Sequence, residues 1–494
     1  MDSFTHDPID LHLAQRILKY DPSPTPLKEE ALAKFFANMR EGALYLSLDK
    51  CPDLKVLESP LVQDILDIET IPTLPFVRWN QLLYLQRHWM LEKKVFHHLE
   101  RILSFKLTPI TSSIDETKLD EEQRLAIKNV HNNPLTIITG GPGTGKTYTI
   151  SFLVKTFPES SRIALTAFTA KAVKKLSEGI PGAASLTLHS LLKLRNIQEP
   201  IEEGHYLPYD LIIIDECSMI DGALWLKILS SISYSTRLVL LGDPMQLPPI
   251  GSDGFFSHFC TLPCTISLKG VKRAEGLLQK LSEATLREDA EEFFKLSTFF
   301  EGKDLLSALK EIFTFGFTSP PTPEELLEKL KTFRVLSCVR RGVRGIDHLN
   351  RDLADHFRSK RWPIPLMITR NDYRLQLSNG QTGIQNSSET ALFEDDEKQM
   401  RTFPIALLPP YEYGYALSVH KAQGSEYDHL FLIIPENSEG LSKELLYTGI
   451  TRAKKNITLV GNKDSVKEMM SHPSRKNSGL LMWLIKQRLE KRND

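Results

Sequence analysis

Two hydrophobic rhythms divide the chain. Near the start, apolar residues recur at three- and four-residue intervals, as Leu11, Ala14, Ile17 and Leu18 and then Leu27, Ala31, Phe35 and Met39, with prolines between the sets. That spacing predicts amphipathic helices. Residues 43–48, ALYLSL, read as one short strand, and residues 82–103 as a long amphipathic helix, so residues 1 to about 110 are expected to form a small, mostly helical domain. Further on, the rhythm changes. Of the short apolar runs at 135–138, 163–165, 211–214 and 237–241, the first, third and fourth end in a glycine-rich or acidic turn, and those at 135 and 163 lead into helical spacing. Strands that alternate with helices belong to an open α/β sheet, which binds ligands outside the carboxyl ends of its strands. Residues 365–414 change rhythm again, to short alternations rich in Thr, Tyr and Leu with Asn379-Gly380 as a hairpin turn, which predicts a small inserted β-barrel.

With 494 residues the chain exceeds a single core, and roughly 150 residues per domain suggests three or four units. A hydrophobic share of 41%, a charged share of 25% and the lack of any long apolar run fit a globular protein without membrane spans. The polar N-terminus and five scattered cysteines point to a reducing cytoplasm. Cys260 and Cys264 lack a second ligand pair and read as structural. A net charge of −1 excludes a globally basic nucleic-acid binder, so any DNA contact must use a local groove.

Candidate chemistry concentrates at the strand ends. Residues 140–147, GGPGTGKT, fit G-x-x-x-x-G-K-[ST] between a strand and a helix. In that context backbone N–H groups of the glycine turn cradle phosphates at a helix N-terminus. The nucleotide set is therefore Gly140, Gly141, Pro142, Gly143, Thr144, Gly145, Lys146, Thr147 and Tyr148, with Lys146 on the outer phosphates and Thr147 on Mg²⁺. Asp120 and Gln123 form a capping box, and Gln123 is equally suited to read an adenine edge. Asp215 and Glu216 close an apolar strand; hydrolysis needs such a pair, Asp215 to hold Mg²⁺ and Glu216 to activate water. Gln246, in GDPMQ after the next strand, is placed to sense the γ-phosphate. Phe168 offers a stacking platform for a single-stranded base, or simple packing under a helix; Thr169 and His189 are counted with it as DNA-binding candidates. The polar stretch 196–208 has room for a small hairpin. Glu92-Lys93-Lys94 mimics a nuclease E-x-K but lacks an upstream Asp, and reads as a solvated helix face.

With YALSVHKAQGSEY (415–427) and LYTGITRAK (446–454), these segments resemble the ordered motif series of superfamily-one helicases. FRVLSCVRRGVRGIDHLN, PLMITRNDYRLQLSNGQTG and RKNSGLLMWL are most similar to the RecD family, the motor subunits of RecBCD-type exodeoxyribonuclease V. Phe168 and Ala422 depart from the usual Pro and Ser of that family. The resemblance implies an α/β fold with two RecA-like P-loop domains, at 115–265 and at 266–364 with 415–494, an SH3-like β module at 365–414, and a partner-docking head. It implies ATP and Mg²⁺ as cofactors and Arg273 and Arg452 as arginines acting on the transferring phosphoryl. His420 and Lys421 would lie in a DNA groove. The expected activity is ATP-driven 5′-to-3′ movement on single-stranded DNA at duplex ends, with RecB- and RecC-like partners supplying the nuclease. The alternatives are a stand-alone RecD-like helicase and an ATPase assembly switch.

Overall fold

The computed structural model describes residues 7–40, 42–57, 60–111, 116–178, 180, 182–194, 205–249, 254–269, 276–300, 304–372, 374–395, 397–474 and 478–490. The chain divides into two compact units: Met1–Pro244 with Pro248–Gly270 and Arg475–Asp494, and Met245–Leu247 with Val271–Ser474.

The first unit opens with helices Pro8–Leu18 and Pro26–Arg40, followed by a four-stranded sheet. Its strands are β1 (Tyr45–Ser47), β2 (Val62–Asp64), β3 (Phe76–Trp79) and β4 (Leu82–Leu85), in the order β1-β4-β3-β2. The expectation of a single short strand in the head is thus corrected, since that strand is one of four in a sheet. The expected helix at 82–103 is likewise two elements, β4 and the helix Gln86–Leu103. Asn80 and Gln81 both take positive φ, +45° and +64°, and close a two-residue hairpin that pairs Trp79 with Leu82. Two left-handed residues match the twist of antiparallel strands.

The helix Gln86–Leu103 buries Trp89, Glu92, Val95, Phe96, Leu99 and Ile102, a stripe at helical spacing. It shares a core with Trp225, Leu229 and Phe255 of the α/β sheet region. The boundary expected near residue 110 is therefore not a boundary between compact units. Glu92 is also not on a solvated face. It is fully buried, and its Oε2 accepts the Leu481 backbone N–H (3.0 Å) in the first turn of the helix Leu480–Glu490. A carboxylate at a helix N-terminus meets the positive end of the peptide dipoles, which offsets part of its desolvation. Residues 478–490, expected in the second RecA-like domain, pack with the first unit instead, where Trp483 meets Trp79 edge to face at 5.0 Å.

The sheet that follows is entirely parallel: β5 (Leu135–Thr139), β6 (Ile163–Ala167), β7 (Ala184–Thr187), β8 (Leu211–Asp215), β9 (Arg237–Gly242) and β10 (Thr265–Ser267), ordered β10-β5-β9-β8-β6-β7. Its central strands are almost wholly buried, which explains their continuous apolar runs.

The second unit holds two sheets. β11 (Phe333–Ser337), β17 (Ala416–Ser418), β18 (Tyr427–Ile433) and β19 (Ala453–Val460) form a parallel sheet ordered β17-β11-β18-β19. Between β11 and β17 the chain builds an antiparallel sheet from β12 (Ile364–Ile368), β13 (Thr382–Gln385), β14 (Thr390–Glu394), β15 (Met400–Pro404) and β16 (Tyr411–Tyr413), ordered β15-β14-β13-β12-β16. Asn379-Gly380 does not form a two-residue hairpin. It lies at the end of the longer β12–β13 connection, in a turn closed by the Gln381 N–H on Ser378 O (3.0 Å), with Gly380 at φ +85°. Among the described residues no helix is long and apolar enough to cross a membrane.

Candidate functional site

In the first unit the carboxyl ends of β5, β8 and β9 lie side by side, with Thr139 paired to Gly242 and Ile214 to Leu240. The loop after β5 turns through Gly143 and Gly145, at φ +81° and +89°, conformations that cost a residue with a Cβ. Gly140 is constrained differently: a Cβ there would stand 2.5 Å from Thr144 Oγ1 and 2.9 Å from Leu268 O. The helix Lys146–Lys155 starts directly from this loop, and its N-cap Gly145 provides no side-chain cap. Its first N–H groups are thus presented to an anion. Lys146 Nζ donates to Gly140 O (2.5 Å) and Gly141 O (3.0 Å), and Thr144 Oγ1 to Gly141 O (2.9 Å), so the ammonium lies folded over the loop. Thr147 is half-buried in the first helical turn and Tyr148 is exposed, its ring 4.9 Å from that of Phe152.

Asp215 ends β8 beside Ala167. Burial, and then the neighbouring Glu216 carboxylate, raise its pKa, while Lys146 and the Glu216 N–H draw it back down. That N–H donates to Asp215 Oδ1 at 2.8 Å. Glu216 takes φ +54° and ψ +43°, left-handed for a residue with a full side chain. Strain of this kind is retained where the surrounding structure fixes a side chain in place, which is a mark of functional positions. A hydroxyl and a carboxylate on oxygen, Thr147 and Asp215, suit Mg²⁺, which takes few protein ligands and completes its shell with water and phosphate. Among the described residues there is no cluster of three or more His, Cys, Asp or Glu side chains that could hold a metal ion. Asp243, buried just beyond β9, is a strand-end carboxylate that the sequence reading left without a role.

Gln123 is fully buried, and both halves of the capping box form: its N–H donates to Asp120 Oδ1 (2.9 Å) and its Oε1 accepts from Asp120 N (3.3 Å). Phe168, Thr169 and His189 come together at the ends of β6 and β7, where Ala167 pairs with Thr187. The Phe168 and His189 rings meet at 5.8 Å, and Phe168 also packs against the apolar core. Thr169 caps the helix Ala170–Ser177, its hydroxyl accepting from Ala172 N. Burial lowers the pKa of His189.

The remaining candidates belong to the second unit. Gln246 is buried in the segment Met245–Leu247, where the Leu247 N–H donates to Thr448 Oγ1 (2.9 Å) and Leu247 O accepts from Gln423 Nε2 (3.3 Å). Arg452 is buried and donates to Thr448 O, Ser425 O and Thr451 Oγ1 at 3.2–3.3 Å. His420 and Lys421 follow the end of β17, with Lys421 paired to Glu412. Arg273 and most of the expected hairpin at 196–208 lie outside the described residues.

Residues 123–252 match the family model of the AAA domain, and residues 413–460 that of the UvrD-like helicase C-terminal domain. The RecBCD enzyme subunit RecD of Mycolicibacterium smegmatis is 29% identical to this chain over 96% of each. The ATP-dependent RecD2 DNA helicase of Deinococcus radiodurans is 30% identical over 70% of this chain and 49% of its own length. A solved Bacteroides Pif1 helicase in complex with ADP-AlF3 and ssDNA is 15% identical, at a TM-score of 0.47 over 76% of this chain and 97% of the other.

Proposed function

The chain is a RecD-type superfamily-one DNA helicase that depends on ATP, and from that premise we propose that it is the 5′-to-3′ motor subunit of a RecBCD-type helicase–nuclease acting in double-strand break repair and recombination. Its partners are RecB- and RecC-like subunits, its track single-stranded DNA at duplex ends, and its setting the cytoplasm. The observation that carries this reading is the placement of a glycine-rich phosphate loop and of Asp215 with the left-handed Glu216 at the carboxyl ends of one parallel sheet. The similarity to a RecBCD subunit RecD along nearly the full length of both chains supports the subunit assignment over a stand-alone helicase.

In this reading Gly140 to Thr147 hold the triphosphate and Lys146 leaves the loop carbonyls to neutralise its outer charge. Thr147 and Asp215 hold Mg²⁺, which supplies charge neutralisation at the phosphates. Glu216 takes the proton of the attacking water. Gln123 and Tyr148 face the nucleoside, and Gln246 responds to loss of the γ-phosphate. Arg273 and Arg452 supply positive charge to the transition state, for which Arg452 must leave its present carbonyl partners. Phe168, Thr169, His189, His420 and Lys421 contact DNA. ATP turnover with and without oligo(dT) tests the assignment. Stimulation by DNA that Lys146→Ala removes is expected; unstimulated turnover points to an assembly switch. Co-purification of two larger subunits from the native cell tests the complex.

A further inference from the structure

We infer that Arg340 and Lys421 form a subsite for a backbone phosphate of single-stranded DNA, and that the Glu412 carboxylate occupies it when DNA is absent. The inference rests on the reading of Lys421 as a DNA contact and adds two residues to it. β11 and β17 are parallel neighbours with Ser337 opposite Ser418, and Arg340 and Lys421 each stand three positions beyond that pair. The register therefore delivers two cations to adjacent carboxyl ends of one sheet, the edge where α/β sheets take ligands.

Between them sits an anion from a different sheet. Glu412, on the edge strand β16, accepts from Lys421 Nζ through Oε1 (2.7 Å) and from Arg340 Nη2 through Oε2 (3.3 Å). Two oxygens of one anion, each on its own cation, is also the arrangement a phosphodiester offers through its two non-bridging oxygens. Arg340 meets a second carboxylate, Asp347, at 3.2 Å. The four side chains sum to zero charge, and with Glu412 withdrawn one positive charge remains for a phosphate. Displacing Glu412 breaks two contacts of different strength: that to Arg340, whose side chain is 56% exposed, contributes little, while the 2.7 Å bond to Lys421 is more sheltered and is replaced by the bond the same ammonium makes to a phosphate oxygen. The inserted sheet thus sets the affinity of the motor for its track by contributing a competing carboxylate.

Anisotropy of a labelled oligo(dT) titrated with the full-length protein tests this. Glu412→Gln, nearly isosteric, should tighten binding roughly three- to tenfold. Glu412→Ser should act in the same direction, so that a folding defect in one variant, seen by thermal melting, does not decide the matter. The gain should vanish in Glu412→Gln/Arg340→Gln, and Lys421→Gln should weaken binding. If Lys421→Gln weakens binding but both Glu412 variants bind as wild type or worse, Glu412 merely positions the cations and the inference is wrong, while the helicase reading stands. If Lys421→Gln has no effect, Lys421 is not a DNA contact and the inference falls with that assignment.

Discussion

At the scale of single residues, the site joins a loop that requires glycine to a strand-end carboxylate held in a left-handed conformation. Glu216 is held at φ +54°, which disfavours any side chain by about 1 kcal/mol or more. Glu216→Gly should therefore raise the melting temperature while abolishing turnover, and Glu216→Gln should keep nucleotide affinity and lower kcat by ~10²–10⁴-fold. Calorimetry and steady-state kinetics check both, and equal loss of binding and turnover in the Gln variant would make Glu216 structural. A second residue-scale effect comes from histidines. His258 Nε2 accepts the Ser478 N–H (3.1 Å), and burial depresses its pKa to about 4. Burial depresses His88 and His98 to about 4 as well. Since the unfolded pKa is about 6.5, these groups contribute stability that is present above pH 6.5 and lost as pH falls toward 4. Melting temperature should fall through that window, less steeply in His258→Gln; a flat profile would contradict the buried, neutral placement.

At the scale of elements, the phosphate loop, the Asp-Glu strand end and the strand–helix alternation were legible because each is local: strand, turn and helix follow one another within a few residues. What stayed hidden depends on distant partners. Asn80-Gln81 lacks the glycine that advertises a tight hairpin, so β4 merged with the helix behind it in the sequence pattern. Glu92 lies on the apolar stripe of Gln86–Leu103, and a partner for its buried carboxylate comes from the helix Leu480–Glu490, 389 positions further along the chain. Glu412 likewise gains meaning from Arg340 and Lys421, which reach it through the register of a different sheet. Glu92→Ala should strand the Leu481 N–H and lower stability by ~1–3 kcal/mol in denaturant unfolding. No change would mean that the C-terminal helix does not depend on this contact.

At the scale of the molecule, the chain passes between its units after Pro244, Leu247, Gly270 and Ser474. The first of these passages runs directly from β9, beside the phosphate loop, to Gln246 and the Leu247–Thr448 bond. A covalent path of a few residues therefore links the carboxyl end of β9 to the unit that carries His420, Lys421 and Arg452. Whether that link drives directed motion is tested most directly by strand displacement with the full-length protein and ATP, on duplexes bearing either a 5′ or a 3′ single-stranded tail. Separation of the 5′-tailed duplex alone, lost in Lys146→Ala, is the predicted result; separation of the 3′-tailed duplex, or of either duplex without ATP, would contradict a 5′-to-3′ ATP-driven motor.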